Sequence, residues 1–164
     1  MGEVVQNNVA GSVVDKPGDW QALVFVEPPD NRLPLSVQTL LRPDVDYEAR
    51  LAVLQLLPTE LSSREVEGLL YYVCLAGPRE GLIGMQERLL KKETMDLLSR
   101  QPSCIEPVVQ GLVSTYRNGK QDVVVRNYAF HYLSFLHDRV SDDLRGFIGR
   151  ALWSAPQHGE VVAR

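Results

Sequence analysis

The stretch DVVVRNYAFHYL, residues 122–133, is where a helical and a β-sheet fold can be told apart in this chain. Its valines, tyrosines and phenylalanine are residues that β-strands favour. Its apolar positions nevertheless recur every three or four residues, at Val125, Ala129, Leu133 and then Leu136, which is the spacing of one face of a helix. We expect a helix here, because the packing of a continuous apolar face outweighs a modest preference for strand.

Amphipathic segments separated by turn residues continue this pattern over most of the chain. The segments cover 44–57, 62–76, 83–99, 104–117, 122–138 and 142–154. Glycines in the turns at 76–78 and 118–119 are typical of helix ends. The sequence therefore predicts an all-α fold without a strand.

Three of these segments open with residues that cap helices. Ser62 with Glu65, and Ser103 with Glu106, have the spacing of capping boxes, in which each side chain accepts a hydrogen bond from the other residue's backbone N–H. Ser141 is followed by two aspartates, which suit the positive end of a helix dipole. We expect a helix to begin at each of these positions.

The composition is that of one folded domain. The chain has 164 residues, a net charge of −4 and 45% hydrophobic residues. The acidic balance argues against binding to nucleic acid, because phosphate recognition needs a basic face. No apolar run is long enough to span a membrane, and the first residues do not resemble a signal peptide. A cytoplasmic location is expected, although an export signal removed from the front of the chain would leave the same sequence.

The sequence contains an internal repeat. DYEARLAVLQLL begins at residue 46 and DVVVRNYAFHYL at residue 122, and the distance between them is twice 38 residues. A middle copy at residue 84 is poorly conserved and has Gly84 where the others have aspartate. The three copies still share one evenly spaced residue, an arginine: Arg50, Arg88 and Arg126.

This pattern resembles HEAT repeats, in which D-x-x-V-R opens the first helix of each pair. DVVVR at 122–126 matches this motif, DYEAR at 46–50 matches it with alanine in the valine position, and CIEPVVQGLV at 104–113 resembles a second helix. The resemblance implies an α-α superhelix of about three stacked HEAT-like helix pairs. Armadillo-like or unrelated paired-helix domains remain alternatives. The expected pairs are 44–76, 83–117 and 122–154.

Residues 1–43 and 155–164 lie outside the repeat. The first segment is rich in Asn, Gly and Pro and is expected to be irregular, with one short helix at 33–41. It would cap the first repeat, using that helix with Trp20, Leu23 and Phe25. Residues 155–164 are expected to form a C-terminal tail.

The repeat also predicts a polar ladder, because stacking would bring acidic and basic residues of successive repeats together. The alternative is ordinary ion pairs four residues apart on each helix surface. The residues concerned are Asp46, Arg50, Arg88, Asp122 and Arg126.

We expect no catalytic, cofactor or metal site in this sequence. His131, His137 and His158 do not have the spacing of metal ligands, and phosphate-binding loops and hydrolase motifs are absent. Cys74 aligns with apolar residues of the other repeats and is expected to be a buried, inert thiol, while Cys104 lies at a helix start. Lys91 and the residues beside it are expected to form a solvated basic patch.

The resemblance also predicts where a partner would bind, because the second helices of HEAT-like stacks line a concave face. Tyrosine, tryptophan and arginine on such a face are typical anchors of protein interfaces. The alternative is that Tyr71 or Tyr72 packs under the N-terminal segment and that Trp153 caps the last repeat. The candidate residues are Tyr71, Tyr72, Leu75, Gln110, Ser114, Arg145, Arg150 and Trp153.

We therefore expect a non-enzymatic scaffold that binds an unidentified protein or peptide on its concave face. The alternative is an enzyme on the same scaffold, because HEAT-like families include a DNA glycosylase and bilin lyases. A structural fragment of a longer array, or a subunit of a larger assembly, is a further alternative.

Overall fold

The computed structural model describes residues 34–42, 44–78 and 80–153. Within these ranges the chain forms seven α-helices and no strand, which confirms the predicted all-α fold. The valine-rich stretch lies in a helix, as its periodicity predicts. None of the helices in these ranges is both long and apolar enough to cross a bilayer. The helices are α1 (Leu35–Leu40), α2 (Tyr47–Leu56), α3 (Ser63–Cys74), α4 (Gly81–Ser99), α5 (Ile105–Arg117), α6 (Val123–His137) and α7 (Asp142–Trp153).

The helix starts agree with two of the three predicted caps. Ser62 and Glu65 form a complete capping box, with the Glu65 amide 3.2 Å from the Ser62 hydroxyl and the Ser62 amide 2.8 Å from the Glu65 carboxylate. The Ser141 hydroxyl accepts from the amide of Leu144 at 3.4 Å. The box at Ser103 is wrong, because that residue lies inside a 3₁₀ turn and α5 has no side-chain cap.

The helices pack in two series. Helices α2, α4 and α6 contact one another in order, and α1, α3, α5 and α7 do the same. Between the series, α1 packs on α2, α3 on α4, and α5 most extensively on α6, whereas α2 and α3 make little direct contact. Of the predicted pairs 44–76, 83–117 and 122–154, the helices of the last, α6 and α7, pack on each other, whereas α4 contacts α5 less than it contacts α3, and α2 hardly contacts α3.

Helix α5 is the central helix of the fold. Every residue from 108 to 116 is buried, because α5 packs against α3, α6 and α7. Its Gly111 faces Leu70 of α3 so closely that an added Cβ would lie 2.5 Å from the leucine Cδ2. The core is therefore continuous through both series of helices.

The short helix predicted at 33–41 is α1. Its Val37 and Leu40 are fully buried, and α1 contacts both α2 and α3. Trp20, Leu23 and Phe25, the other expected contributors to a cap, lie outside the described residues, as do His158 and the segment 155–164.

Candidate functional site

A buried polar network joins α2, α3 and α4. The Arg50 guanidinium donates to the carbonyl of Leu40 at 2.7 Å and forms an ion pair with Glu87. The Tyr72 hydroxyl donates to the other carboxylate oxygen of Glu87 at 2.8 Å. Burial, followed by the negative charge of Glu87, raises the pKa of Tyr72 well above its usual range. Each charged group in this part of the network therefore has a direct partner, as a buried charge requires.

Lys91 extends the network one helical turn along α4. Its ammonium donates to the carbonyl of Leu75 and lies 5.6 Å from the centre of the Tyr72 ring. Burial lowers the pKa of Lys91 to about 8, although the carboxylate of Glu87 opposes this shift. The prediction of a solvated basic patch is wrong here, because Lys91 is only 2% exposed and Glu87 is buried beside it.

A second ion pair joins α4 to the start of α6. The Arg88 guanidinium donates to both carboxylate oxygens of Asp122, with its Nη2 2.9 Å from Oδ2. The same carboxylate caps α6 through the amides of Val124 and Val125. Burial alone would raise the pKa of Asp122, but the hydrogen bonds from Arg88 and from the two amides outweigh it and the pKa is lowered.

Gln121 ties this ion pair to the end of α3. Its amide nitrogen donates to the carbonyls of Val73 at 2.9 Å and Leu75 at 3.2 Å, and its oxygen accepts from the amide of Asp122. The carbonyl of Leu75 thus accepts from both Gln121 and Lys91. The loop before α6 is held against α3 through these contacts.

Two of the evenly spaced arginines contact an acidic residue of the next helix in their series. Arg50 of α2 meets Glu87 of α4, and Arg88 of α4 meets Asp122 of α6. Glu87 supplies the carboxylate in the middle copy, where Gly84 replaces the aspartate of the other two copies. The pairs span two helices, unlike the surface pairs four residues apart that were the alternative.

Asp46 and Arg126 are the first and last residues of the expected ladder. Asp46 caps α2 by accepting from the amide of Ala49 at 2.8 Å. Arg126 donates through Nε to the carbonyl of Tyr116 at 3.0 Å, and its buried Nη2 makes no hydrogen bond. Ion pairs therefore join α2 to α4 and α4 to α6, whereas Asp46 and Arg126 form no ion pair with a described residue.

The cysteines and histidines within the described ranges do not assemble into a reactive centre. Both cysteines are free, and burial raises the pKa of Cys74 to about 11, which makes its thiol a poor nucleophile. His131 is exposed, while His137 lies 3.0 Å from the Asp138 carboxylate. Among the described residues, no three His, Cys, Asp or Glu side chains lie close enough to hold a metal ion.

A cleft opens where the start of α2 approaches the start of α4. It has a volume of ≈ 350 Å³, and the buried Arg50–Glu87 pair is part of its lining. Three further carboxylates line it: Asp44, Asp46 and Glu48. The guanidinium of Arg50 is bonded to Glu87, and Asp44 is paired with Arg42, so the exposed carboxylates of Asp46 and Glu48 give the cleft its negative surface.

The first half of α4 carries exposed apolar residues, one of which lines the cleft. Ile83 lines the cleft and is 62% exposed. Leu82, Met85 and Leu89 recur at helical spacing and are 64%, 48% and 39% exposed. We call these four residues the α4 patch.

Three of the partner-binding residues predicted from the sequence are buried. Tyr72 is 3% exposed, and Gln110 and Ser114 are each 2% exposed. Tyr72 is engaged with Glu87, and the other two lie on α5, which is covered on every side by its neighbours. The prediction that these residues face a partner is therefore wrong, and Leu75 and Trp153 are not joined through Ser114 into one exposed stripe.

The other five predicted residues reach the surface. Trp153 is 93% exposed and Leu75 is 43% exposed, while Arg150 is exposed and Tyr71 is half-buried. Arg145 is half-buried and donates to the carbonyl of His137 at 3.1 Å. None of these five side chains lines the cleft at the start of α2.

Sequence reasoning missed the residues that build the network and the cleft. The sequence does carry a signal for Glu87. It is an acidic residue next to the repeated Arg88, in the copy whose first position is Gly84 instead of aspartate. No comparable signal marked Lys91 or Gln121, since lysine and glutamine usually lie at the surface. Comparison with protein-family models, curated proteins and solved structures finds no match to this chain.

Proposed function

We propose that this protein is a HEAT-like helical-repeat module that binds a partner protein. It would take a segment that carries basic and apolar side chains, bound across the α4 patch and the adjoining cleft. The observation that carries this proposal is the cleft itself, in which the exposed carboxylates of Asp46 and Glu48 border an exposed isoleucine. Apolar anchors surrounded by polar groups are the usual composition of a protein-binding surface.

The charge of the cleft supports a basic occupant. Asp46 and Glu48 have exposed side chains in the cleft, and the guanidinium of Arg50 is already shared between Glu87 and the Leu40 carbonyl. A lysine or arginine of a partner would be attracted by these carboxylates, whereas a phosphate would be repelled. The same argument weighs against the alternative of a DNA glycosylase, which would need a basic groove.

A second candidate surface is the exposed end of α7. Trp153 is 93% exposed there, and tryptophan is among the residues that contribute most to interface stability. This surface belongs to the face that the HEAT resemblance predicts for partner binding. The two surfaces differ in charge. Arg150 lies near the exposed end of α7, whereas carboxylates line the cleft beside Ile83.

The proposal is tested by selecting peptides from a random displayed library on the immobilised full chain. We expect the selected peptides to combine lysine or arginine with aliphatic or aromatic residues. Ile83→Lys, which adds a positive charge to the cleft, should weaken the binding of these peptides by roughly tenfold or more. Leu35→Lys is the matched control, because Leu35 is 77% exposed on α1.

The outcomes separate the two surfaces. Loss of binding in Ile83→Lys with normal binding in Trp153→Lys supports the α4 patch. The reverse result would transfer the function to the end of α7. Selection of acidic peptides would contradict the proposed chemistry of the cleft.

A further inference from the structure

The solvent-facing side of α4 divides along its length into an apolar half and a polar half. Residues spaced by three and four positions lie on the same side of a helix. On this side of α4 the first three residues are apolar and are 64%, 48% and 39% exposed, and the next three are polar. In order they are Leu82, Met85, Leu89, Glu93, Asp96 and Arg100. The apolar half includes the start of the helix, where Ile83 lines the cleft.

The apolar half of α4 suits a helical partner better than an extended one. An extended segment on this surface would place its backbone N–H and C=O groups against apolar side chains, and the described ranges contain no strand that could pair with them. A helix bonds its own backbone groups and presents apolar side chains at the spacing of Leu82, Met85 and Leu89. These three residues span about 10 Å, or about two helical turns.

The position of the carboxylates gives such a partner helix a direction. Glu48 lies in the first turn of α2, and the cleft that it lines also contains Ile83, near the start of α4. Lysine and arginine are most favourable in the last turn of a helix, where they offset the negative end of the helix dipole. A partner helix that runs antiparallel to α4 has its last turn over the cleft, so the same basic residues stabilise that helix and meet Glu48.

Building on the proposed function, we infer that the partner segment is an amphipathic helix that lies antiparallel to α4. Its apolar residues pack on the α4 patch, and its last turn carries lysine or arginine over the cleft. The complementary charges are the exposed carboxylates of Asp46 and Glu48, whereas Asp44 is already paired with Arg42. A helix of the opposite direction would need its basic residues in the first turn, where the dipole disfavours them.

The conformation is tested with a library-selected peptide that binds the unmodified full chain and loses binding in Ile83→Lys. The peptide is isotopically labelled, and its Cα chemical shifts are measured by NMR when it is free and when it is bound to the full chain. We expect the bound peptide to show the shifts of a helix. Proline at a central polar position of the peptide should weaken binding by roughly tenfold or more, because it breaks the helix. Proline at the first helical position is the matched control and should change binding by about twofold or less.

The direction is tested by reversing a charge at each end of the apolar half. Glu48→Lys places a positive charge in the cleft and should weaken binding of the peptide by roughly fivefold or more. Glu93→Lys is the matched control, because Glu93 is exposed on the same side of α4 beyond Leu89, and it should change binding by about twofold or less. Replacing the last basic residue of the peptide with glutamate should restore part of its binding to the Glu48→Lys chain.

Three results would overturn different claims. A selection that yields no peptide dependent on Ile83 would contradict the proposed function and the helical partner together. A peptide that depends on Ile83 but shows extended chemical shifts when bound would overturn the helix and leave the proposed function standing. A larger loss of binding in Glu93→Lys than in Glu48→Lys would overturn the antiparallel direction.

Discussion

At the scale of single residues, Lys91 is the least expected feature of this protein. Its ammonium is buried among Tyr72, Glu87 and the carbonyl of Leu75, and its pKa is lowered to about 8 from 10.5. A lowered lysine pKa means that the folded protein favours the neutral form. Charged Lys91 therefore reduces stability at neutral pH.

Lys91→Met should stabilise the protein at pH 7 by about 1–3 kcal/mol. The carbonyl of Leu75 would keep Gln121 as a donor, and Glu87 would keep Arg50 and Tyr72. Between pH 8 and 10.5 the unfolded chain holds the lysine proton and the folded chain does not, so the unmodified protein gains stability as pH rises. The advantage of the variant should shrink over this interval.

Urea unfolding of both proteins from pH 7 to 10.5 measures this difference. Lys92→Met is the matched control, because Lys92 is exposed on the same helix and should change stability little. A Lys91→Met protein that is less stable at pH 7 would show that the lysine stabilises the fold in its charged form.

Residue-level prediction from the sequence succeeded where burial followed the repeat. The expected burial of Cys74 is confirmed, because its repeat equivalents are apolar. It failed at Tyr72 and Lys91, because their burial depends on partners from three helices that no local pattern brings together. A buried lysine and a solvated lysine look the same in a sequence until its partners are known.

At the scale of secondary-structure elements, α3 and α5 pack closely where Gly111 faces Leu70. Gly111 allows it, because any larger residue there would meet the side chain of Leu70. The sequence predicted α5 as a helix within a residue of its actual bounds, but gave no indication that it would be covered on every side. Its polar residues Gln110 and Ser114 suggested an exposed face that the packing does not provide.

Gly111→Ala should destabilise the protein by about 1–3 kcal/mol, because the new methyl group must displace Leu70 or separate the two helices. Gly149→Ala is the matched substitution on α7, where nothing lies within 4 Å of an added Cβ. It should leave stability unchanged or increase it by up to about 1 kcal/mol, because alanine favours helix over glycine. Thermal and urea unfolding of the two variants measure the contrast.

Equal effects of the two substitutions would contradict the close packing of α3 on α5. A small loss in Gly111→Ala with a large loss in Gly149→Ala would place the crowded helix contact at α7 instead.

At the scale of the whole molecule, two series of helices share one core. The all-α fold and the approximate helix bounds could be predicted, because helical spacing of apolar residues is a local property of the sequence. The neighbour against which each helix packs most closely could not be predicted, because the connecting turns are similarly short on either side of each helix. The evenly spaced arginines pointed to the neighbours in the α2, α4 and α6 series, although the degraded middle copy hid the role of Glu87.

In this fold, residues repeated every 38 positions bring successive helices of one series together. A double-mutant cycle on Arg88→Met and Asp122→Asn measures this contact, because asparagine retains the cap of α6 while the ion pair between the helices is lost. The exposed pair Arg100–Asp96, which lies within α4, serves as the reference and should give no more than about 0.5 kcal/mol. Urea unfolding at low salt should give about 1 kcal/mol or more of coupling for Arg88 and Asp122, and strictly additive effects would contradict the stacking of α4 on α6.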